Sequence, residues 1–268
     1  MRKEQPIGIY DSGIGGLTVA HAVRQKLPNE GIVYFGDTAH FPYGDKSTAA
    51  IQAYAVKICD VLLKHNCKAI LIACNSASSA AYRLVKEYVG TKAKVVNVID
   101  PVVQYCSLNY SGQTIGLIGT KKTVNSNVYQ KKIDKLEMDI ALKALATPLL
   151  APMIEEGFFN NRISEEIILN YLQDSRLTDI QALILGCTHY PLIKNQIENI
   201  YKGKIQVLDS STIVADYLYK VLKNSDLLHD QQPPFCKFFV SDYTHSFAET
   251  SKIFFKEDLT LEYYPLWE

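Results

Sequence analysis

The chain has 268 residues, 47% of them hydrophobic, with 28 basic and 28 acidic side chains and therefore no net charge. That is enough apolar material for one large core or two modest ones, and the charge balance excludes the basic footprint of a nucleic-acid binder. No run of about 18 apolar residues occurs, and the opening residues lead straight into a strand pattern, so neither a membrane span nor a signal peptide is expected.

In chain order, strand-like runs near 6–11, 31–36, 69–73, 94–99, 114–119, 182–186, 205–208 and 237–242 alternate with helical patterns. This βαβα alternation predicts parallel sheets covered by helices on both faces. Directly after the first run comes Asp11-Ser-Gly-Ile-Gly-Gly16. Thr18 stands where G-x-G-x-x-G requires its third glycine, so the dinucleotide fingerprint is broken, and a small carboxylate is the better guest for the following helix start. That helix carries Val19, Ala20, Val23 and Leu27 on one side. Asp37 and Tyr43 fall in a loop containing Pro42, where Asp37 is read as an ordinary turn residue. Segment 47–65 shows Ile51, Tyr54, Ala55, Ile58 and Leu62 at helical spacing, with Asp45 or Ser47 as cap. Asp100-Pro101 is read as an N-cap followed by proline at the first helical position, opening the second half. The lysine-bearing stretch from Lys121 to Lys135 is read as a solvated helix face. After about residue 209 too few residues remain for a third domain, so they are expected to return to the first. The predicted domains are 1–98 plus 210–268, and 99–209.

The chain also repeats itself. Ala69-Ile-Leu-Ile-Ala-Cys74-Asn-Ser in the first half is echoed by Ala182-Leu-Ile-Leu-Gly-Cys187-Thr-His in the second. Upstream, Ile7-Gly-Ile-Tyr-Asp-Ser12 is echoed by Ile115-Gly-Leu-Ile-Gly-Thr120. Each cysteine follows an unbroken apolar run of the kind that forms a buried parallel strand, and ligands bind just beyond the carboxyl ends of such strands. Two related halves, each bringing a thiol, suggest one pocket with two-sided chemistry. The six cysteines lack the dense spacing of a disulfide framework and are expected to be reduced, in a cytoplasmic protein. Cys59, Cys67, Cys106 and Cys236 are read as packing residues. Cys74 and Cys187 each stand before short polar residues, where a helix start would favour thiolate.

Three chemistries could use this pair. A zinc site from Cys74, Cys187 and His189 lacks any C-x-x-C pair, so no metal is expected. A nucleophilic cysteine with His189 as base leaves the second cysteine without a role. Acid–base work uses both, because inverting a stereocentre removes a proton from one face and returns one to the other. A binding protein would have no need of reactive thiols, and a redox protein would show a reversible disulfide between them.

The sequence resembles the glutamate racemases of the aspartate/glutamate racemase superfamily. The resemblance runs through Asp11-Ser-Gly-Ile-Gly-Gly-Leu, Asp37-Thr-Ala-His-Phe-Pro-Tyr43-Gly44, Ala73-Cys74-Asn75-Ser76-Ala-Ser, Gly119-Thr120 with Thr123, and Leu185-Gly-Cys187-Thr188-His189-Tyr-Pro-Leu, in the family's order. Ser76 departs from the threonine usual there and keeps its hydroxyl. What the resemblance implies is two similar parallel-sheet α/β domains related by a pseudo-twofold axis, with the active site in the cleft between them. It implies racemisation of glutamate without a cofactor, supplying D-glutamate for peptidoglycan, in a cytoplasmic homodimer that engages neither nucleic acid nor membrane. The thiol matching Cys74 would act on the D-enantiomer, assisted by Asp11, and that matching Cys187 on the L-enantiomer, assisted by His189. Asp11, Ser12, Tyr43, Gly44, Asn75, Ser76, Thr188 and His189 match substrate-binding positions, joined by Thr120 and Thr123 and by Glu155 or Glu156. The alternative is a racemase or isomerase of the same superfamily acting on aspartate or another small dicarboxylate, whose members usually carry glutamate where His189 stands.

Overall fold

The computed structural model describes residues 1–231 and 235–268. The first half runs β1 (Ile7–Asp11), α1 (Leu17–Lys26), β2 (Ile32–Gly36), α2 (Thr48–Lys64), β3 (Ala69–Ile72), α3 (Asn75–Val89) and β4 (Lys94–Asn97). The second runs α4 (Ile99–Asn109), β5 (Thr114–Gly119), α5 (Lys121–Asn125), α6 (Val128–Asp134), β6 (Ala141–Ala146), α7 (Leu150–Glu155), α8 (Arg162–Leu172), β7 (Ala182–Gly186), α9 (Lys194–Ile200) and β8 (Gln206–Leu208). Then follow α10 (Ser210–Asn224), β9 (Cys236–Val240), α11 (His245–Phe255) and β10 (Leu261–Tyr263).

Two sheets result, and every strand pair in both is parallel. The first has the order β10-β9-β2-β1-β3-β4 and the second β6-β5-β7-β8. Stripped of β9 and β10, the first sheet has the same order as the second, so the repeat in sequence is a repeat in topology. In each copy the chain leaves the first strand in one direction and later crosses back to its other side. This reversal opens a crevice at the carboxyl ends of β1 and β3, and again of β5 and β7, the place where open α/β sheets bind ligands. Asp11 ends β1, Gly119 ends β5, and Cys74 and Cys187 lie just past β3 and β7.

The apolar runs are buried because helices cover both faces of the first sheet. Ile7, Ile9 and Leu71 face a core that continues through α4 and α10 into Leu117 and Ile184 of the second sheet. Tyr10, Ile70 and Ile72 face the opposite way, under α2 and α3. Each such side chain contributes about 1.5–3 kcal/mol on burial, so the strands that carry the cysteines are held rigidly.

Ser47 caps α2, accepting from the Ala50 N–H at 3.1 Å. Asp100 does not cap α4, which begins at Ile99; Asn97 instead accepts from the N–H groups of Ile99 and Asp100 at 2.8 and 2.9 Å. The stretch 121–135 is two short helices broken at Asn127, which has φ of 54°. Nor is it only a solvated face: Lys121 pairs with Asp45 at 3.4 Å, Lys122 donates to Thr48 at 2.7 Å, and Lys132 pairs with Asp100 at 2.6 Å. The strands β6 and β10 were not foreseen. Ala-Leu-Lys-Ala-Leu-Ala in β6 favours helix on propensity, and an edge position beside β5 overrides it.

Candidate active site

The two crevices share one cavity. It is about 20 Å³ and is lined by Ser12, the segment Phe41–Gly44, Cys74, Asn75, Ser76, Thr120, Ala151, Cys187, Thr188 and His189. Residues just past β1, β3, β5 and β7 therefore converge, although the cysteines are far apart in sequence. Larger clefts on the surface contain neither cysteine.

Cys74 is the N-cap of α3, and its sulfur accepts from the Ala77 N–H at 3.4 Å. Its thiol donates to the Ser12 hydroxyl at 3.6 Å. The helix start does not make this an acidic thiol. Burial, and then the negative charge of Asp11, push Cys74 up to about 12, outweighing the Ala77 and Ser12 contacts. Cys187 has a different setting. It heads no α-helix, being followed by a turn and the short 3-10 segment Tyr190–Ile193. What faces its sulfur is the His189 ring, with Nδ1 at 3.5 Å.

On its other side the His189 ring meets the buried carboxylate of Glu155 through Nε2. Burial alone would lower this imidazole, but the charges of Glu155 and Cys187 and its hydrogen bonds to both raise it well above the ordinary range. A protonated ring donates from both nitrogens, so Glu155, His189 and Cys187 form a line along which a proton and a charge are held in place. Phe41 tilts against the ring at 5.6 Å and Phe254 meets it edge-on at 5.4 Å. Gly15 leaves room for it, since a Cβ there would land inside the imidazole.

Asp11 stands behind the cavity. Its Oδ2 accepts from the N–H groups of Gly13 and Gly16 at 3.2 and 3.0 Å, and its Oδ1 accepts from the Thr188 hydroxyl at 3.4 Å. Burial above all raises its carboxyl to about 6, against the opposing charge of His189. Three donors of the glycine-rich loop are thus taken within the protein. Two serve Asp11, and the Ile14 N–H serves Glu155 at 3.3 Å. Thr18, in place of the third glycine, donates to the Thr188 carbonyl at 2.8 Å and ties α1 to the second cysteine's turn.

The remaining residues separate into those that line the cavity and those that support it. Ser76 and Thr120 share a hydrogen bond of 2.8 Å across the cleft, and Thr123 stands one layer back, accepting from Thr120 at 3.1 Å. Asn75 accepts from the Tyr129 hydroxyl at 2.8 Å through Oδ1, while its buried Nδ2 has no hydrogen-bond partner in the protein. Tyr43 lies along the cavity, but its hydroxyl points away and donates to Asp37 at 2.6 Å. Asp37 is no ordinary turn residue, because it is fully buried and gathers several donors. Sequence reasoning gave Phe41, Ala151 and Tyr129 no role and did not choose between Glu155 and Glu156. Only contacts across the fold single them out.

Comparison with known proteins agrees with this geometry. The profile of the Asp/Glu/Hydantoin racemase family matches residues 18–218. A glutamate racemase of Neisseria meningitidis is 37% identical over 253 residues, covering 94% of this chain and 93% of its own length. The chain belongs to the glutamate racemase family. Among solved structures, a Francisella tularensis glutamate racemase in complex with D-glutamate superposes with a TM-score of 0.91 at 38% identity, covering 99% of both chains. The isoform RacE1 from Bacillus anthracis gives 0.92 at 30% identity, covering 98% of both. The family is one of isomerases, and its shared fold is the pair of parallel-sheet α/β halves described above. No helix among the described residues is long and apolar enough to cross a membrane, and none of their His, Cys, Asp and Glu side chains form a group of three or more placed to hold a metal ion.

Proposed function

We propose that this chain interconverts L- and D-glutamate by proton exchange between two thiols, supplying D-glutamate for peptidoglycan. The observation that carries the proposal is that Cys74 and Cys187 line one cavity from opposite halves of a duplicated fold, in unlike acid–base settings. Cys187, beside the charged His189, takes the α-proton of L-glutamate; Cys74, held as a thiol, returns one to the opposite face. In the reverse direction the roles exchange, and each turnover leaves the pair in the opposite protonation state.

The α-proton of an amino acid is a very weak acid, so charge developing on the carboxylate has to be met by donors fixed in advance. The supply here is the Asn75 Nδ2, the Ser12 hydroxyl, the Ser76 hydroxyl once it leaves Thr120, and the backbone N–H groups of Tyr43 and Gly44. A cavity of about 20 Å³ holds about one water, far less than an amino acid. Entry therefore requires the halves to part, breaking Ser76–Thr120, Lys122–Thr48 and Asn75–Tyr129, and closure over the substrate excludes water.

Tyr129 reaches the site through Asn75, whose Oδ1 it engages while Nδ2 stays free. Tyr129→Phe is expected to raise KM about 2- to 10-fold for both enantiomers with kcat nearly unchanged, the range of one hydrogen bond. Steady-state kinetics in both directions check this.

We further assign 1–98 with 210–268 to one domain and 99–209 to the other, supported by the pairing of β9 with β2. A cytoplasmic location is supported by six unpaired cysteines, and a homodimer by the exposed apolar side chains of Leu149, Phe158 and Ile163. The direct test of function is the circular dichroism of L-glutamate, D-glutamate and L-aspartate, each incubated with purified protein, reductant and chelator. Decay of both glutamate signals is expected. Decay of aspartate alone would transfer the assignment to the sister reaction, and no decay at all would leave a binding protein.

A further inference from the structure

Asp37 follows β2, is completely buried, and has both carboxylate oxygens engaged. Oδ2 accepts from the Tyr43 hydroxyl at 2.6 Å, and the His40 Nδ1 lies 3.0 Å from the same atom. Oδ1 accepts from Ser241 at 2.7 Å and from the indole N–H of Trp267 at 2.7 Å. The last two donors come from residues that follow β9 and β10, at the far edge of the sheet from the cysteines. Oδ1 thus depends on segments 204 and 230 residues distant in sequence, while Oδ2 is held from within the loop.

Trp267 is seated as well as bonded. Its ring meets His40 edge-on at 4.6 Å and Tyr54 at 5.3 Å, and the Lys57 ammonium lies 4.8 Å from its centre. His40 is in turn stacked on Tyr54 at 4.0 Å. A second clasp lies alongside: Thr38 donates to the Asp242 carbonyl at 2.6 Å and accepts from the Asp242 N–H at 2.8 Å. Asp37, Thr38, His40 and Tyr43, which these contacts hold, belong to the loop 37–44, whose last four residues form one wall of the catalytic cavity. That wall also runs close to Thr120, since a Cβ on Gly44 would meet the Thr120 Cβ at 3.0 Å.

We propose that Trp267 is a positioning residue for the substrate: its indole N–H fixes Asp37, Asp37 fixes Tyr43, and Tyr43 sets the backbone wall against which glutamate is held. The chain of contacts is Trp267 Nε1–H to Asp37 Oδ1, then Asp37 Oδ2 from Tyr43 Oη–H. This rests on the racemase reading of the cavity. A buried carboxylate that loses one of its donors is left partly unsatisfied, and it recovers by drawing on the others or by admitting water. Either response shifts the Tyr43 ring and with it the wall. The wall touches substrate in ground state and transition state alike, so KM bears the effect more than kcat.

The test uses Trp267→Phe, which keeps an aromatic ring against His40 and Tyr54 and removes the N–H together with part of the indole's area. In glutamate racemisation KM is expected to rise about 10-fold, the scale of a hydrogen bond to a charged group, with kcat changed less than about 3-fold. Tyr43→Phe cuts the same chain one step later. If Trp267 acts through Asp37 and Tyr43, Trp267→Phe added to Tyr43→Phe raises KM little further; a role in stability alone gives equal factors in both backgrounds. Trp267 is also the only tryptophan of the chain. Its emission in the unaltered protein is expected to change on saturation with D-glutamate, and this change is expected to be lost in Tyr43→Phe. An unchanged KM in Trp267→Phe, independent factors in the two backgrounds, or emission indifferent to D-glutamate would each overturn the proposal. Absence of racemisation in the unaltered protein would instead defeat the reading on which it rests, and the emission titration would still show whether an amino acid in the cavity is felt at Trp267.

Discussion

Cys74→Ser and Cys187→Ser are each expected to lower racemisation by about a hundred- to ten-thousand-fold, the range attributed to a positioned acid or base. Serine fills nearly the same space, so folding is preserved and the loss falls on chemistry. A hydroxyl is a far weaker acid than a thiol and cannot hold the charge that a thiolate carries between half-reactions. The two variants should not behave alike. With Cys187 replaced, His189 and Glu155 remain paired with no sulfur opposite Nδ1. With Cys74 replaced, that line is intact and only the opposite face lacks its proton donor. Loss of activity in both variants, measured from each enantiomer, supports two separate roles. Near-normal turnover in either would make the second thiol dispensable.

Asp11→Asn should make the protein more stable at pH 8 and less active. The Asp11 carboxyl is raised from its ordinary 3.8 to about 6, burial being the largest cause. A shift of about two units corresponds to about 3 kcal/mol. Because the folded value lies above the unfolded one, the group favours folding most below about pH 4. Its contribution declines as pH rises from about 4 to about 6 and remains at its least favourable above that. Asparagine has no such titration and can still accept from the Gly13 and Gly16 N–H groups. Denaturant unfolding should therefore show the variant ahead by up to about 3 kcal/mol at pH 8, with the advantage shrinking towards pH 4. Activity should fall at the same time, because the charge next to Cys74 is gone. A destabilised variant at pH 8 would mean that the two loop N–H groups and Thr188 stabilise the carboxylate by more than its burial costs.

Features fixed by neighbours in the chain were legible in the sequence. The runs Ala69–Ile72 and Ala182–Gly186 could only be buried strands, and their echo showed the duplication of the sheets. The small residues after Cys74 announced a helix start, which the structure shows. The same inference failed at Cys187, where Tyr190 is buried with its hydroxyl bonded to Thr147 and the chain turns through a 3-10 segment instead. Acid–base properties were not legible, because they depend on burial. The helix start at Cys74 suggested an acidic thiol, and enclosure beside Asp11 pushes it the other way. Nor could the use of the glycine-rich loop be read. Three of its donors point inward to Asp11 and to Glu155, a residue of α7 in the other half. Asp37 was misread for the same reason: two of its donors, Ser241 and Trp267, come from the distant end of the chain.

The central claim is that two groups on opposite faces share the work, and the fate of the α-hydrogen tests it most directly. L-Glutamate is incubated with the protein in D₂O, the reaction is stopped early, and the α-deuterium content of both enantiomers is measured by mass spectrometry after chiral separation. Two thiols predict D-glutamate that carries deuterium and residual L-glutamate that retains its protium. Deuterium appearing equally in both, or D-glutamate formed with its original hydrogen, would mean that a single base serves both faces and would contradict the account.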